Sequence, residues 1–298
     1  MITKPLTTTH HCIVGLAIAV SFLVGCSSGP EGPAQGSSEW YWQSAATEHE
    51  EGDFPDAIEE LEYAAEGEGE WAQRAVVWHG ILTVGLARGN AAAAETCRLA
   101  LKENADLMAL VRGPMQQVQR DARQNIISFV EGLGDFESAL GTGDVILEIP
   151  FPPGDLAEAS LMASLADGQQ ISDVQLQAGI QQMLALGVME TVALMAGSGD
   201  DLAGAQAAFE AGPVTVDAED VKMIVANYLV DMSYSFTKER MNEPNIRDVV
   251  LQRAGEWIES GLESADEGIK EQSEALRDVI EDERRDVKGL EPLDRDGD

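Results

Sequence analysis

The sequence predicts an all-α protein, and three observations carry that prediction. Apolar residues recur at three- and four-residue spacing through most of the chain, as in Ala57, Ile58, Leu61, Ala64 and Ala65, or in Val221, Ile224, Val225, Tyr228, Leu229, Met232 and Phe236. That is the period of one buried helix face. Helix start and stop residues punctuate the stripes, with Ser38 before one, Gly52-Asp53 between two and Ser172 before another. The segment read as extended is short, Val145 to Ile149, set between Gly141-Thr142-Gly143 and Pro150, Pro152, Pro153 and Gly154.

The first residues read as a processed segment. Lys4 supplies a positive start, Ile13 to Val24 an uncharged and largely apolar run, and Leu23-Val24-Gly25-Cys26 its end. The run is shorter than the ~20 residues a membrane-spanning helix needs, which suits a signal that is cut away. Leu23-Val24-Gly25-Cys26 resembles the lipobox of bacterial lipoproteins. The resemblance implies cleavage between Gly25 and Cys26, lipid on the Cys26 thiol, residues 1–25 as signal peptide, and anchorage in the cell envelope. Ser27 rather than aspartate after the cysteine implies transfer to the outer membrane, facing the periplasm. Residues 26–38, rich in Gly, Ser and Pro, are expected to form a flexible tether. Ser27 to Ser38 would span about 19 Å r.m.s. as a flexible chain, beyond the Debye length of about 8 Å.

Composition excludes several function classes. The chain has 298 residues and a formal net charge of −34. The signal holds one Lys and no acid, so its removal makes the charge more negative still. Such a carboxylate excess repels phosphate backbones and anionic lipid surfaces, which argues against nucleic-acid binding and for cationic partners. Cys12 leaves with the signal and Cys26 is consumed by lipid, so Cys97 remains without an intramolecular disulfide partner. In its Ala-rich helical segment it reads as a buried, inert thiol.

Residues 39–140 read as helical hairpins. Ser38 can cap a helix bearing Trp40, Tyr41 and Trp42, Gly52-Asp53 breaks it, and Pro55 opens a second helix reaching about Glu66. Gly52-Asp53-Phe54-x-x-Ala57-Ile58-x-x-Leu61-x-x-Ala64 resembles the second half of a tetratricopeptide repeat. The resemblance implies that Tyr41 packs against the small positions Ala45, Ala57 and Ala64. Trp78 stands as far before Gly89 as Tyr41 before Gly52, and Ala91 to Ala94 then supply a partner helix for a second copy. Gly134-Asp135-Phe136-x-x-Ala139-Leu140 repeats the turn of the first. The expectation is a set of tetratricopeptide-like hairpins stacked into a right-handed solenoid.

Residues 141–154 read as a Gly/Pro-rich connector containing a strand or a strap, and 155–284 as a second helical lobe. Asp155 opens a helix with Leu156, Leu161 and Leu165. Ser172-Asp173-Val174-Gln175 fits a capping box. The following helix, to about Ala196, bears Gln175, Gln177, Gln181, Gln182 and Glu190, which favours a buried central helix over a membrane span. Its Gly179 and Gly187 would let neighbours come close. A short helix follows from Asp200 to Ala211, then the Val221–Phe236 stripe, stopped before Pro244. Asn245 can cap the next helix, with Ile246, Val249, Val250, Trp257 and Ile258, and Leu262, Ile269 and Leu276 recur at heptad spacing beyond it. Residues 285–298 read as an acidic tail.

Catalytic chemistry finds little to work with, and neither enzyme activity, metal nor cofactor is expected. His49-Glu50-Glu51-Gly52-Asp53 lacks the second histidine of a helical zinc motif, and His79 reads as partly buried and hydrogen-bonded. Gly197-Ser198-Gly199 is no nucleophile elbow and Gly141-Thr142-Gly143 no phosphate loop. Trp40 and Trp42 could face a groove. Met162, Met183, Met189, Met195, Met223 and Met232 could line an adaptable apolar cavity or simply fill the core. The expected function is a non-catalytic helical-repeat scaffold for an envelope protein. The alternative is a transport-associated accessory lipoprotein holding a small apolar or amphipathic ligand.

Overall fold

The computed structural model describes residues 32–153, 160–264 and 267–290. Gly25 and Cys26, the helix start at Asp155 and Leu156, and the end of the acidic tail lie outside the described residues. Ten α-helices and one two-stranded antiparallel sheet make up the described chain. The all-α expectation therefore holds at the level of class.

Helices α1 (Ser38–Glu51) and α2 (Phe54–Ala65) form the hairpin read from the sequence. The cap of α1 is Ser37 rather than Ser38, its side chain accepting from the Trp40 N–H at 3.2 Å. Gly52 turns the chain with φ 82, a left-handed conformation that glycine adopts without strain. Asp53 then caps α2.

The next two expected turns do not form. Helix α3 (Glu70–Glu103) runs straight through Gly89, and α4 (Met108–Leu140) runs straight through Gly134, after a 3-10 turn at Ala105–Leu107. In α3, Gly89 is a crossing point rather than a turn. A Cβ there would lie 2.6 Å from the Leu184 Cα, and one at Gly85 2.7 Å from the Val188 Cα. Both contacted residues belong to α6 (Asp173–Met195). In α4, buried Phe129, Val130, Leu133, Phe136 and Leu140 keep one helical face continuous across Gly134. Burying that face outweighs the ~1 kcal/mol glycine penalty in a helix interior.

Residues 141–153 contribute to the core. Strand β1 (Asp144–Leu147) turns Val145 and Leu147 inward and pairs antiparallel with β2 (Val214–Asp217), Val145 opposite Val216. Arg74, lying 4.9 Å over the Trp71 ring, bonds Glu148 just beyond β1. One apolar core joins Trp42, Trp78 and Phe136 to Val188, Leu229 and Trp257 on the far side of this segment. A smaller cluster around Cys97, Val111, Leu165 and Leu176 lies apart from it.

The later helices follow their stripes, with three adjustments. α5 (Ser160–Ala166), α6, α7 (Leu202–Ala211) and α8 (Ala218–Tyr234) occupy the expected places, and both halves of the Ser172/Gln175 capping box are made. α9 (Pro244–Leu262) starts one residue before Asn245, because Pro244 supplies the preset first-turn backbone and Glu243 stands at the cap. Val249 lies on its exposed face, and the buried stripe is Val250, Leu251, Ala254, Trp257 and Ile258. α10 (Glu267–Val287) is a separate helix packed back on α9, so Leu262 and Leu276 do not share one continuous helix. Helix α6 is apolar enough by length and composition to cross a membrane, yet half of its most apolar window is buried within the protein.

Buried polar links tie these helices together. Tyr228 on α8 donates its hydroxyl to the Val84 carbonyl of α3 at 2.7 Å, and Trp257 on α9 donates to Lys222 O at 2.8 Å. Arg247 on α9, almost fully buried, pairs with Asp286 at 2.7 Å and with Glu283 of α10.

Candidate functional groove

Helix α3 doubles back into α4 near Asn104, bringing Gly80 against Phe136 so closely that a Cβ at Gly80 would sit 2.5 Å from the ring. Where the end of α2 and the Gly67–Gly69 turn meet this pair, a groove of about 870 Å³ opens. Its floor is small and apolar, with Ala72, Gly80 and the edges of Phe129 and Phe136, and Gly132 leaves room beside them. Its walls are acidic: Glu62, Glu66, Glu68 and Asp135 all line it, and among its described lining residues none is Lys or Arg.

His79 is the titratable nitrogen in this groove, with Nε2 3.5 Å from the Glu62 carboxylate. Burial pulls its pKa below the ordinary histidine value, against the opposing pull of Glu62. Burial thus favours the neutral ring and Glu62 the charged one. Ser138, also on the wall, donates its hydroxyl to the Gly134 carbonyl at 2.9 Å. The Glu62 carboxylate beside the ring offers acceptor oxygens to a hydrogen-bond donor or a cation in the groove.

Sequence-expected site residues fall in three places. Ala45, Ala57 and Ala64 are fully buried, and the Tyr41 ring lies tilted against Tyr63 of α2 at 5.2 Å and edge-to-face with Trp40 at 5.0 Å. Trp42 packs mainly in the core, its ring meeting Trp78 at 4.7 Å and Trp71 at 5.8 Å, and it lines a smaller recess beside β1 rather than this groove. Trp78 lies well inside α3 and is buried, rather than opening a second hairpin. Trp40 is half-buried on the outer side of α1 and does not line the groove.

Among the described residues, five of the six candidate methionines divide between two packed clusters. Met189 and Met195 are buried at 3% and 1% exposure, so neither offers surface to a partner. Met183 and Met162 pack with the Cys97 cluster, whereas Met195, Met223 and Met232 belong to the main core. None lines the groove. Cys97 is sealed in, its thiol pushed up to about 11 by burial, which suppresses the reactive thiolate.

His49 has a structural role that its sequence context does not announce. It is fully buried, packed edge-on against Phe54 and Trp78, and its Nε2 lies 2.9 Å from the Pro150 carbonyl. That contact requires the Nε2–H tautomer, leaving Nδ1 buried without a partner. Burial lowers its pKa to about 4, with the Pro150 bond opposing. His49 thus ties the segment after β1 to α1. Glu48, Asp53 and Asp56 bring carboxylate oxygens within 4.8 Å of one another nearby, but Asp53 is occupied as the cap of α2.

The groove is not legible in the sequence, because its lining comes from three helices and its small residues resemble helix-packing positions. Compared with known proteins, the chain matches no family model, no curated protein and no solved structure.

Proposed function

We propose that this protein is a lipid-anchored component of the cell envelope, held through Cys26 and probing its surroundings with a non-catalytic helical body that binds another protein. The observation that supports this reading is the α2–α3–α4 groove, open, floored by small and apolar groups and walled by four carboxylates. Its volume of about 870 Å³ matches roughly two turns of an α-helix about 10 Å across. A partner segment bearing basic side chains complements those walls.

In this reading the tetratricopeptide-like region is the α1–α2 hairpin, with Tyr41, Ala45, Ala57 and Ala64 in the family's packing positions. Long helices α3 and α4 take over the stacking that further short hairpins would supply in a right-handed solenoid. Ser27 after the lipidated cysteine favours the outer membrane, facing the periplasm. An apolar small-molecule ligand held by Met183, Met189 and Met195 gains no support from the described pockets, none of which these three line.

The test has two arms. Cys26→Ala should abolish lipid labelling and leave the precursor uncut; normal labelling of that variant would remove the anchor. Gly132→Trp places bulk in the groove where a Cβ meets nothing within 4 Å. It should eliminate the protein recovered with wild type while leaving helix content unchanged, and undiminished recovery would refute the groove.

A further inference from the structure

Basic side chains are scarce in this chain, 19 against 53 acids, yet several converge at the end of α4 remote from the groove residues. Gln116, Gln119, Arg120 and Arg123 recur on one face of α4, at the spacing of helical neighbours. With Met241 and Glu243 they line a cleft of about 320 Å³. An adjoining recess shares Gln119 and Met241 and adds Arg98, Arg240 and Glu95.

The charge balance there is reversed from the rest of the protein. Arg98 is satisfied, its fork closed on Glu95 at 2.6 and 2.7 Å. That fork, with the charges of Arg98 and Arg240 behind it, holds Glu95 below the usual carboxylate range. Arg123 reaches Glu243 only at 3.4 Å, and Arg120 bonds the neutral Gln117 at 2.5 Å. Among the described residues neither Arg120 nor Arg240 has a carboxylate within ion-pair distance. The loop that presents Arg240 is fixed by its own backbone. Arg240 N–H donates to Thr237 O, Met241 N–H to Ser235 O, Asn242 N–H to Thr237 O and Glu243 N–H to Phe236 O, at 2.8–3.2 Å. Asn242 turns the chain into α9 at φ 56.

We propose that Arg120, Arg123 and Arg240, with the amides of Gln116 and Gln119, form a binding site for a small doubly charged oxyanion, a phosphate or a dicarboxylate. Guanidinium forks match the paired oxygens of either group, and the two recesses that present them adjoin through Gln119 and Met241. Acids outnumber basic side chains 53 to 19 in the chain, so a gathering of arginines is a favourable place for an anion despite Glu243 beside it. The site shares no residue with the proposed partner groove and stands or falls independently of it.

Calorimetric titration of the full chain with inorganic phosphate, and separately with succinate, at constant ionic strength tests the assignment and tells the two chemistries apart. Saturable binding of at least one probe is expected, weakened about tenfold or more by the Arg120→Gln/Arg240→Gln double substitution, which removes charge-assisted hydrogen bonds. Arg253→Gln, an exposed arginine on α9, should leave binding unchanged. Both substituted arginines are exposed, and circular dichroism checks the fold; should the double variant lose it, the single Arg240→Gln supplies the same readout. Absence of saturable binding to either probe, or equal binding by the folded variant, overturns the proposal.

Discussion

Gly187 of α6 meets Gly89 of α3 backbone to backbone. A Cβ built on Gly187 would lie 2.5 Å from the Gly85 carbonyl oxygen and closer still to the Gly89 amide nitrogen. Contacts this short involve main chain on both sides, so no rotamer change relieves them. The crossing of α3 and α6 thus depends on three glycines, and it is one of the places where the two halves of the sequence join.

Gly187→Ala should therefore destabilise the protein by about 1–3 kcal/mol, the usual cost of overpacking, or more where backbones must separate. Urea unfolding measures it directly. A loss below a few tenths of a kcal/mol would mean that the helices do not approach as described.

Gly134→Ala should act in the opposite direction. Gly134 is exposed inside α4, and a Cβ there meets nothing within 4 Å. Replacing glycine in a helix interior stabilises by about 0.5–1 kcal/mol. If Gly134-Asp135 instead formed the hairpin turn that the sequence suggests, with the glycine in a left-handed conformation, alanine would destabilise. The sign of the change therefore separates the continuous helix from the turn.

The buried imidazole of His49 couples stability to pH. Its folded pKa, about 4, lies below the unfolded value of about 6.5. Protons bind the unfolded chain preferentially in that window, so the contribution is complete above about pH 6.5 and is lost as pH falls toward 4. The shift corresponds to about 3 kcal/mol. His49→Phe keeps an aromatic ring but cannot titrate or bond Pro150. Wild type minus variant stability should rise with pH between 4 and 6.5, whereas a flat difference would place His49 in water.

Helix positions are legible in the sequence because each depends on its own stripe and caps. The Gly52 turn, the Ser172/Gln175 box and the α8 stripe are all local features. The glycines are harder, because Gly52, Gly89 and Gly134 look alike in sequence and differ only in what packs against them. Gly52 takes a left-handed φ, Gly89 faces another helix and Gly134 faces solvent. Strand β2 escapes a local reading because Val214-Thr215-Val216 is brief and gains its identity from β1, far away in the chain. The groove and the arginine cleft are invisible for the same reason, since each is assembled from separate elements. His49 carries no local signal either: it lacks the second histidine of a metal motif, and its partner is a proline carbonyl distant in sequence.

Site-specific photocrosslinking in native envelopes tests the central claim most directly. A photoreactive residue at Ser128, exposed and on the groove wall, is compared with one at Val279, exposed on α10. A discrete protein adduct from Ser128 and none from Val279 is the predicted result. Adducts of equal yield from both positions, or none from Ser128, would contradict a partner-binding groove.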